Sequence, residues 1–256
     1  MSFFAPINQY PPCGMYTTGH FILFAICLIG IIVAIYFSRN LKRKKIKLIT
    51  KAIAILVTIL EIGKMGFNFH YGYTSFDNWL PLAFCSLFIY SCWMAGFGTG
   101  ILEQCGSAFL GGAGIICGLA FLLSPSTSLT MYPMLHYLCC YSMLFHSLML
   151  YLGLLYVMKR IFIPSVFNYR YYLSFCLGFC LLAIIINSIS GCNMMFLREP
   201  FNIPLSFLGE LQNSSQTLYT MLILCVYLTV PFFLVMFGYQ LMQAIKTRRE
   251  NKHASV

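Results

Sequence analysis

Cys85 and His146 are a thiol and an imidazole whose surroundings suit nucleophilic chemistry. A thiol attacks as its thiolate, and a histidine within reach is a common base for making one. Glu61 and Lys64 stand three residues apart, so they share a helix face and can pair. Asn68 continues that face by one turn. Each group also has a plainer reading. A cysteine in an apolar run is by default a small packing residue. A charged pair in a helix can be structural, serving only to orient that helix. His136 lies ten residues before His146, where a solvated or loop-capping role fits, and His20 and His70 read as interfacial.

The elements that must position these groups are set by composition. Of 256 residues, 60% are hydrophobic and only 9% are charged, and the mean hydropathy is +0.81. One soluble core cannot hide that much apolar surface, and disorder needs the opposite composition. The apolar runs are long and continuous rather than the alternating ~10-residue segments of a barrel strand. The expected class is all-α: a single polytopic transmembrane domain over 1–256, a bundle of seven helices. The spans are expected at about His20–Phe37, Leu48–Phe69, Trp79–Phe97, Ala108–Leu123, Tyr137–Val157, Tyr171–Ser190 and Thr217–Ala244. Pro81 fits the first helical turn of the third span. Gly114 and Gly118 form a small-xxx-small step suited to close helix packing in the fourth.

Charge gives the orientation. Thirteen of the 16 Lys and Arg lie in residues 39–47, at Lys159, Arg160 and Arg170, and in the tail holding Lys246, Arg248, Arg249 and Lys252. With an odd number of spans all three clusters fall on one side, which the positive-inside rule makes cytoplasmic. The N-terminus is then outside and the C-terminus inside, with cytoplasmic loops at 38–47, 98–107 and 158–170. Residues 1–19 carry no Lys or Arg, and the basic run follows the first apolar stretch. That is the flank order of an anchor rather than of a cleaved signal. A net charge of +10 arranged this way is a topology signal, and no nucleic-acid partner is expected; membrane lipids are.

Depth brings the polar groups together. At ~1.5 Å per residue from the outer span ends, Lys64 lies about 7 Å deep, Glu61 about 12 Å, Cys85 about 9 Å, His146 about 14 Å and Asn187 about 5 Å. All five fall in the outer half of the bilayer, as a cavity opening outward would need. Twelve cysteines are present without metal-ligand spacing, so no metal and no cofactor is expected. Cys13 and Cys192 lie outside the spans on the outer face, either as two free thiols or as a disulfide.

The Leu-Pro-Leu-x-x-Cys-Ser segment around Cys85 resembles the YwaF-like family of bacterial membrane proteins. So does the run from Asn187 to Pro200, which matches an Asn-xxx-Gly-x-Asn-Tyr-Met-Phe-Leu-x-x-Pro signature except for Met194 in place of Tyr. Phe145-His146-Ser147 is similar to that family's histidine in the fifth span. The family is in turn similar to a eukaryotic seven-helix acyltransferase that remodels ether phospholipids. The resemblance implies Cys85 as nucleophile and His146 as its base. It implies Asn187 and Asn193 as site-lining or oxyanion donors and a bacterial cytoplasmic membrane as location; Glu61 and Lys64 are candidate substrate contacts on their own residues, as charges within a span. Three functions stay open on the residues alone: a Cys/His lipid acyltransferase or acyl hydrolase, a transporter built on the polar cavity, and a nonenzymatic assembly or sensor protein.

Overall fold

The structure, a computed structural model, describes residues 2–200 and 206–254; the side chains of Arg249 and Lys252, part of the basic tail, lie outside what is described. Every regular element among the described residues is helical. In order they are α1 (Thr18–Ser38), α2 (Arg43–His70), the single turn α3 (Phe76–Trp79), α4 (Leu87–Phe97), α5 (Gly100–Phe109), α6 (Ile115–Leu123), α7 (Tyr137–Met158), α8 (Val166–Ser190), α9 (Ser206–Ser214) and α10 (Gln216–Ala254). A π-type turn, Leu110–Gly114, joins α5 to α6 without a break. Among the described residues, five helices are long and apolar enough to cross a membrane: Thr18–Ser38, Gly100–Leu123, Tyr137–Met158, Val166–Ser190 and Gln216–Arg248. The expected span at 48–69 lies inside α2, which is 28 residues long and charged at its start.

The bundle has two chemically different ends. At the basic end, Arg43 and Lys47 of α2 reach Glu103 of α5 at 3.2 and 2.8 Å, and Lys159 donates to the Arg39 carbonyl at 2.8 Å. At the neutral end, Cys13 and Gly14 N–H donate to the carbonyls of Tyr132 and Leu129 at 3.0 and 2.7 Å, and the Asn193 N–H donates to Asp77 at 3.0 Å. Helix α1 starts at the neutral end, where His20 Nε2 meets the Leu122 carbonyl at 3.0 Å, and stops at the basic end, where Ser38 meets Tyr151 at 2.6 Å. Helix α10 runs the same way, past Phe196 near its start and α8 residues Tyr169 and Tyr172 further on.

Two expectations about the elements need correction. Residues 79–97 do not form one helix. Pro81 forces Leu80 into an extended conformation (φ −76°, ψ 120°), so α3 stops at Trp79 and helix resumes only at Leu87. Pro81 is therefore outside any helical turn, and Cys85 sits in the tight turn that leads into α4, where Phe88 N–H bonds back to its carbonyl at 3.1 Å. Residues 98–107 are not a loop. Only Gly98 and Thr99 separate α4 from α5, because Glu103 is neutralised by Arg43 and Lys47 and the helix begins at Gly100.

Helix α7 is the axis of the bundle, with fifteen buried residues, and α1, α2 and α6 pack around it. Its contact with α6 is made backbone to backbone at Gly118, where a Cβ would stand 2.8 Å from the Leu150 nitrogen and 2.9 Å from the His146 carbonyl oxygen. Of the expected Gly114–Gly118 step, it is Gly118 that carries the approach; a Cβ at Gly114 would meet only ordinary contacts at 3.4 Å and beyond. Backbone atoms cannot swing aside as a side-chain tip can. Gly118→Ala is expected to cost about 2 kcal/mol through overpacking. Gly178→Ala, where nothing lies within 4 Å, should be neutral or slightly stabilising. Thermal unfolding of the two variants in detergent checks the contrast.

Candidate active site

Helix α7 brings His146 inward opposite the turn that carries Cys85. The imidazole is buried, and its Nδ1 lies 2.8 Å from the Ser142 carbonyl oxygen. A carbonyl only accepts, so Nδ1 carries the hydrogen and Nε2 keeps its lone pair. Nε2 is buried and has no hydrogen-bond partner among the described residues. Phe121 of α6 lies flat against the ring at 3.6 Å and 7°, and Phe145 meets it edge-on at 5.3 Å. The imidazole is thus held in one plane and one tautomer, its basic nitrogen unused.

The Cys85 thiol has Cys117 of α6 and His146 close by. No hydrogen bond closes between the imidazole Nε2 and the thiol among the described residues, a looseness common before substrate binds. The backbone N–H groups of Phe84 and Cys85 take no part in the turn's hydrogen bonds, which start from Ser86, Leu87 and Phe88. They are two backbone donors in the Cys85 turn without a partner among the described residues. Phe84 stacks on Tyr227 of α10 at 4.2 Å, and the Tyr227 hydroxyl donates to the Met195 carbonyl at 3.0 Å. The turn is therefore anchored both to α10 and to the loop after α8.

Glu61 faces the interior and is 3% exposed. One carboxylate oxygen accepts from the Tyr141 hydroxyl, and the other pairs with Lys64 Nζ at 2.6 Å. Lys64 itself reaches outward, its side chain 23% exposed. Tyr141 and His146 are five residues apart, about 140° around the helix, so the Glu61 group and the imidazole occupy different faces of α7. Tyr141 links the two halves, yet nothing in its spacing distinguishes it from other span tyrosines.

The two asparagines are committed to the backbone. Asn187 exchanges a pair of hydrogen bonds with Met194, donating at 3.1 Å and accepting at 2.7 Å. Asn193 Oδ1 accepts from the N–H groups of Arg198 and Glu199 at 2.9 and 3.1 Å, and its Nδ2 donates to the Glu199 carbonyl at 2.9 Å. With Gly191 in the left-handed region at φ +74°, the signature residues fold the chain back after α8. Asn68 is likewise spent on the Asn78 carbonyl.

His136 caps α7, with Nδ1 accepting from Leu138 N–H at 3.1 Å, and meets the Ala5 carbonyl at 3.0 Å, so it is buried rather than solvated. His20 is buried too. Cys13 and Cys192 are free thiols: Cys13 lies against Thr17 and Gly19, and Cys192 sits in the Arg198 loop. The disulfide is thus absent from this structure.

No curated protein and no solved structure matches the chain. The model of one family does, over residues 15–239, a stretch that includes Cys85, His146, the Glu61–Lys64 pair and both asparagines. The chain is an integral membrane protein and belongs to the TMEM164 family.

Proposed function

We propose that the protein is a membrane-embedded acyltransferase that carries the acyl chain on Cys85. The observation that carries this reading is the buried, partnerless Nε2 of His146, fixed by tautomer and stacking beside a thiol. The resemblance of the Cys85 and Asn187–Pro200 segments to the YwaF-like family, and through it to the ether-phospholipid acyltransferase, supports the same assignment.

His146 Nε2 takes the thiol proton. The thiolate attacks the ester carbonyl of a phospholipid, and the developing oxyanion is met by the free N–H groups of Phe84 and Cys85. Those donors replace Asn187 and Asn193, whose amides are engaged in the loop. Collapse expels the lysolipid alkoxide, which takes the proton back from the imidazolium and leaves a thioester. The hydroxyl of an acceptor lysolipid then gives its proton to His146 and attacks the thioester. The new ester forms, and the thiol is restored. Water in place of the acceptor gives hydrolysis.

Purified protein incubated with a chain-labelled phospholipid should retain label that hydroxylamine releases. Label absent from wild type across ester- and ether-linked glycerophospholipids would remove acyl transfer and leave a structural role for the cluster.

For topology we infer seven crossings. Helix α2, and the Cys85 turn with α4, would complete the five apolar spans, since both run between the same two ends of the bundle. The basic end is assigned to the cytoplasm, which puts the N-terminus outside. A membrane-impermeant maleimide should label Thr247→Cys only after permeabilisation; labelling in intact cells would reverse the orientation.

A further inference from the structure

A cavity of about 360 Å³ opens at the neutral end between the end of α8 and the start of α10. Ile184 and Leu197 supply apolar wall, and Ser188, Gln216, Thr220 and Arg198 supply polar wall. Arg198 decides its character. It is the one Lys or Arg outside the spans at that end, since residues 1–19, 70–78, 124–136 and the rest of 191–216 carry none. The positive-inside bias disfavours a cation there, so its presence calls for a use.

The guanidinium has no ion-pair partner among the described residues. Asp77 binds the Asn193 backbone instead. Among the described residues the Arg198 side chain makes one hydrogen bond, of 3.5 Å from Nη1 to the Cys192 carbonyl. The Gln216 amide is held loosely as well, through contacts of 3.4 and 3.2 Å to Leu197 and Thr220. A planar fork without an ion-pair partner among the described residues, beside an amide held by long hydrogen bonds and in a cavity with one apolar wall, is suited to an anion that bears an apolar stem. At the membrane surface the anion of that shape is a phosphodiester.

We propose that the Arg198 cavity binds the phosphate of a glycerophospholipid. This rests on the acyl-transfer reading and deepens it by locating where the phosphate of its lipid is held. The loop that presents Arg198 is the one tied through Met195 and Tyr227 to Phe84, the residue before the proposed nucleophile. A phosphate held there is connected to the Cys85 turn by packed contacts.

The test uses full-length Cys85→Ser protein in neutral detergent, so that bound lipid is not consumed. Thermal unfolding is followed during titration with lysophosphatidylethanolamine, with a monoacylglycerol of the same chain, and with inorganic phosphate. The lysophospholipid should bind about tenfold more weakly to Arg198→Gln, with part of the loss recovered in Arg198→Lys. Ser188→Leu, which narrows the cavity and leaves the guanidinium in place, should also weaken it. Monoacylglycerol should not distinguish the variants. Arg198-dependent stabilisation by inorganic phosphate equal to that by the lysolipid would keep the phosphate chemistry but assign the site to the free anion. Lysophospholipid binding unchanged in both Arg198→Gln and Ser188→Leu overturns the proposal. Arg198-dependent binding in a protein whose wild type forms no acyl-enzyme would leave the site standing and remove acyl transfer.

Discussion

Cys85→Ala should insert, fold and transfer no acyl chain, with turnover down at least ~10³-fold. Cys85→Ser should be almost as poor, because a hydroxyl gives up its proton far less readily than a thiol and the same imidazole must remove it. His146→Ala keeps the nucleophile but removes the base, which predicts a loss of about 10²–10⁴-fold. Phe121→Ala separates base from scaffold: Nε2 remains, but the ring loses the face that fixes its plane at 3.6 Å, so a smaller loss is expected. Cys92→Ala is the control. Cys92 is fully buried on α4, is not among the side chains acting on Cys85, and should keep full turnover at some cost in stability. Turnover of labelled phospholipid by purified variants, with thermal unfolding as the folding check, reads all five. Full activity in Cys85→Ala would refute the nucleophile assignment.

What the sequence made legible was whatever depends on composition along the chain. Long apolar runs mark α1, α7, α8 and α10, and clusters of Lys and Arg separate the two ends before any packing is known. The Glu61–Lys64 pair follows from helical spacing alone, and it forms. The break in the third segment was signalled by Pro81, but the signal has two meanings. Proline fits a first helical turn, and it also forces its predecessor extended. Here Leu80 takes the extended form and Cys85 falls in a turn instead of on a helix. Residues 98–107 looked like a loop because they hold glycines and a glutamate. Only the approach of Arg43 and Lys47, some sixty positions away, makes a helix starting at Gly100 economical.

The site shows the same division. That Cys85 and His146 come from different segments to one place is a tertiary fact, anticipated from estimated depth and from resemblance. The free Nε2 depends on the Ser142 carbonyl one turn back, a contact every helical histidine can make and few must. Asn187 and Asn193 show what a motif leaves open, since Asn187 both folds the loop and lines the Arg198 cavity. Amides in a signature suggest substrate contact, but their hydrogen bonds go to Met194, Arg198 and Glu199. Motif spacing cannot distinguish an amide that folds a loop from one that faces a ligand. Arg198 was visible as an isolated cation, but its cavity exists only because α8 and α10 meet beside it.

The Glu61–Lys64 pair should show strong coupling in a double-mutant cycle. Glu61 is nearly inaccessible and holds two partners, Tyr141 and Lys64. Lys64→Met leaves its carboxylate with one neutral donor in a low-dielectric interior. Breaking such a pair from one side costs about 3–5 kcal/mol. Glu61→Gln strands Lys64 instead, but that side chain already reaches outward and can extend to the surface, so the loss should be smaller. Glutamine also keeps an acceptor for the Tyr141 hydroxyl. The double variant Glu61→Gln/Lys64→Met leaves no uncompensated charge and should be more stable than Lys64→Met alone. Tyr141→Phe should cost about 1–3 kcal/mol, the loss of one hydrogen bond to a charged group. Unfolding free energies of the four variants in a mild detergent decide the matter. Equal losses from the two single changes that simply add in the double would mean that the charges do not meet in the folded protein. In that case Glu61 would not be what holds α2 against the Tyr141 face of α7.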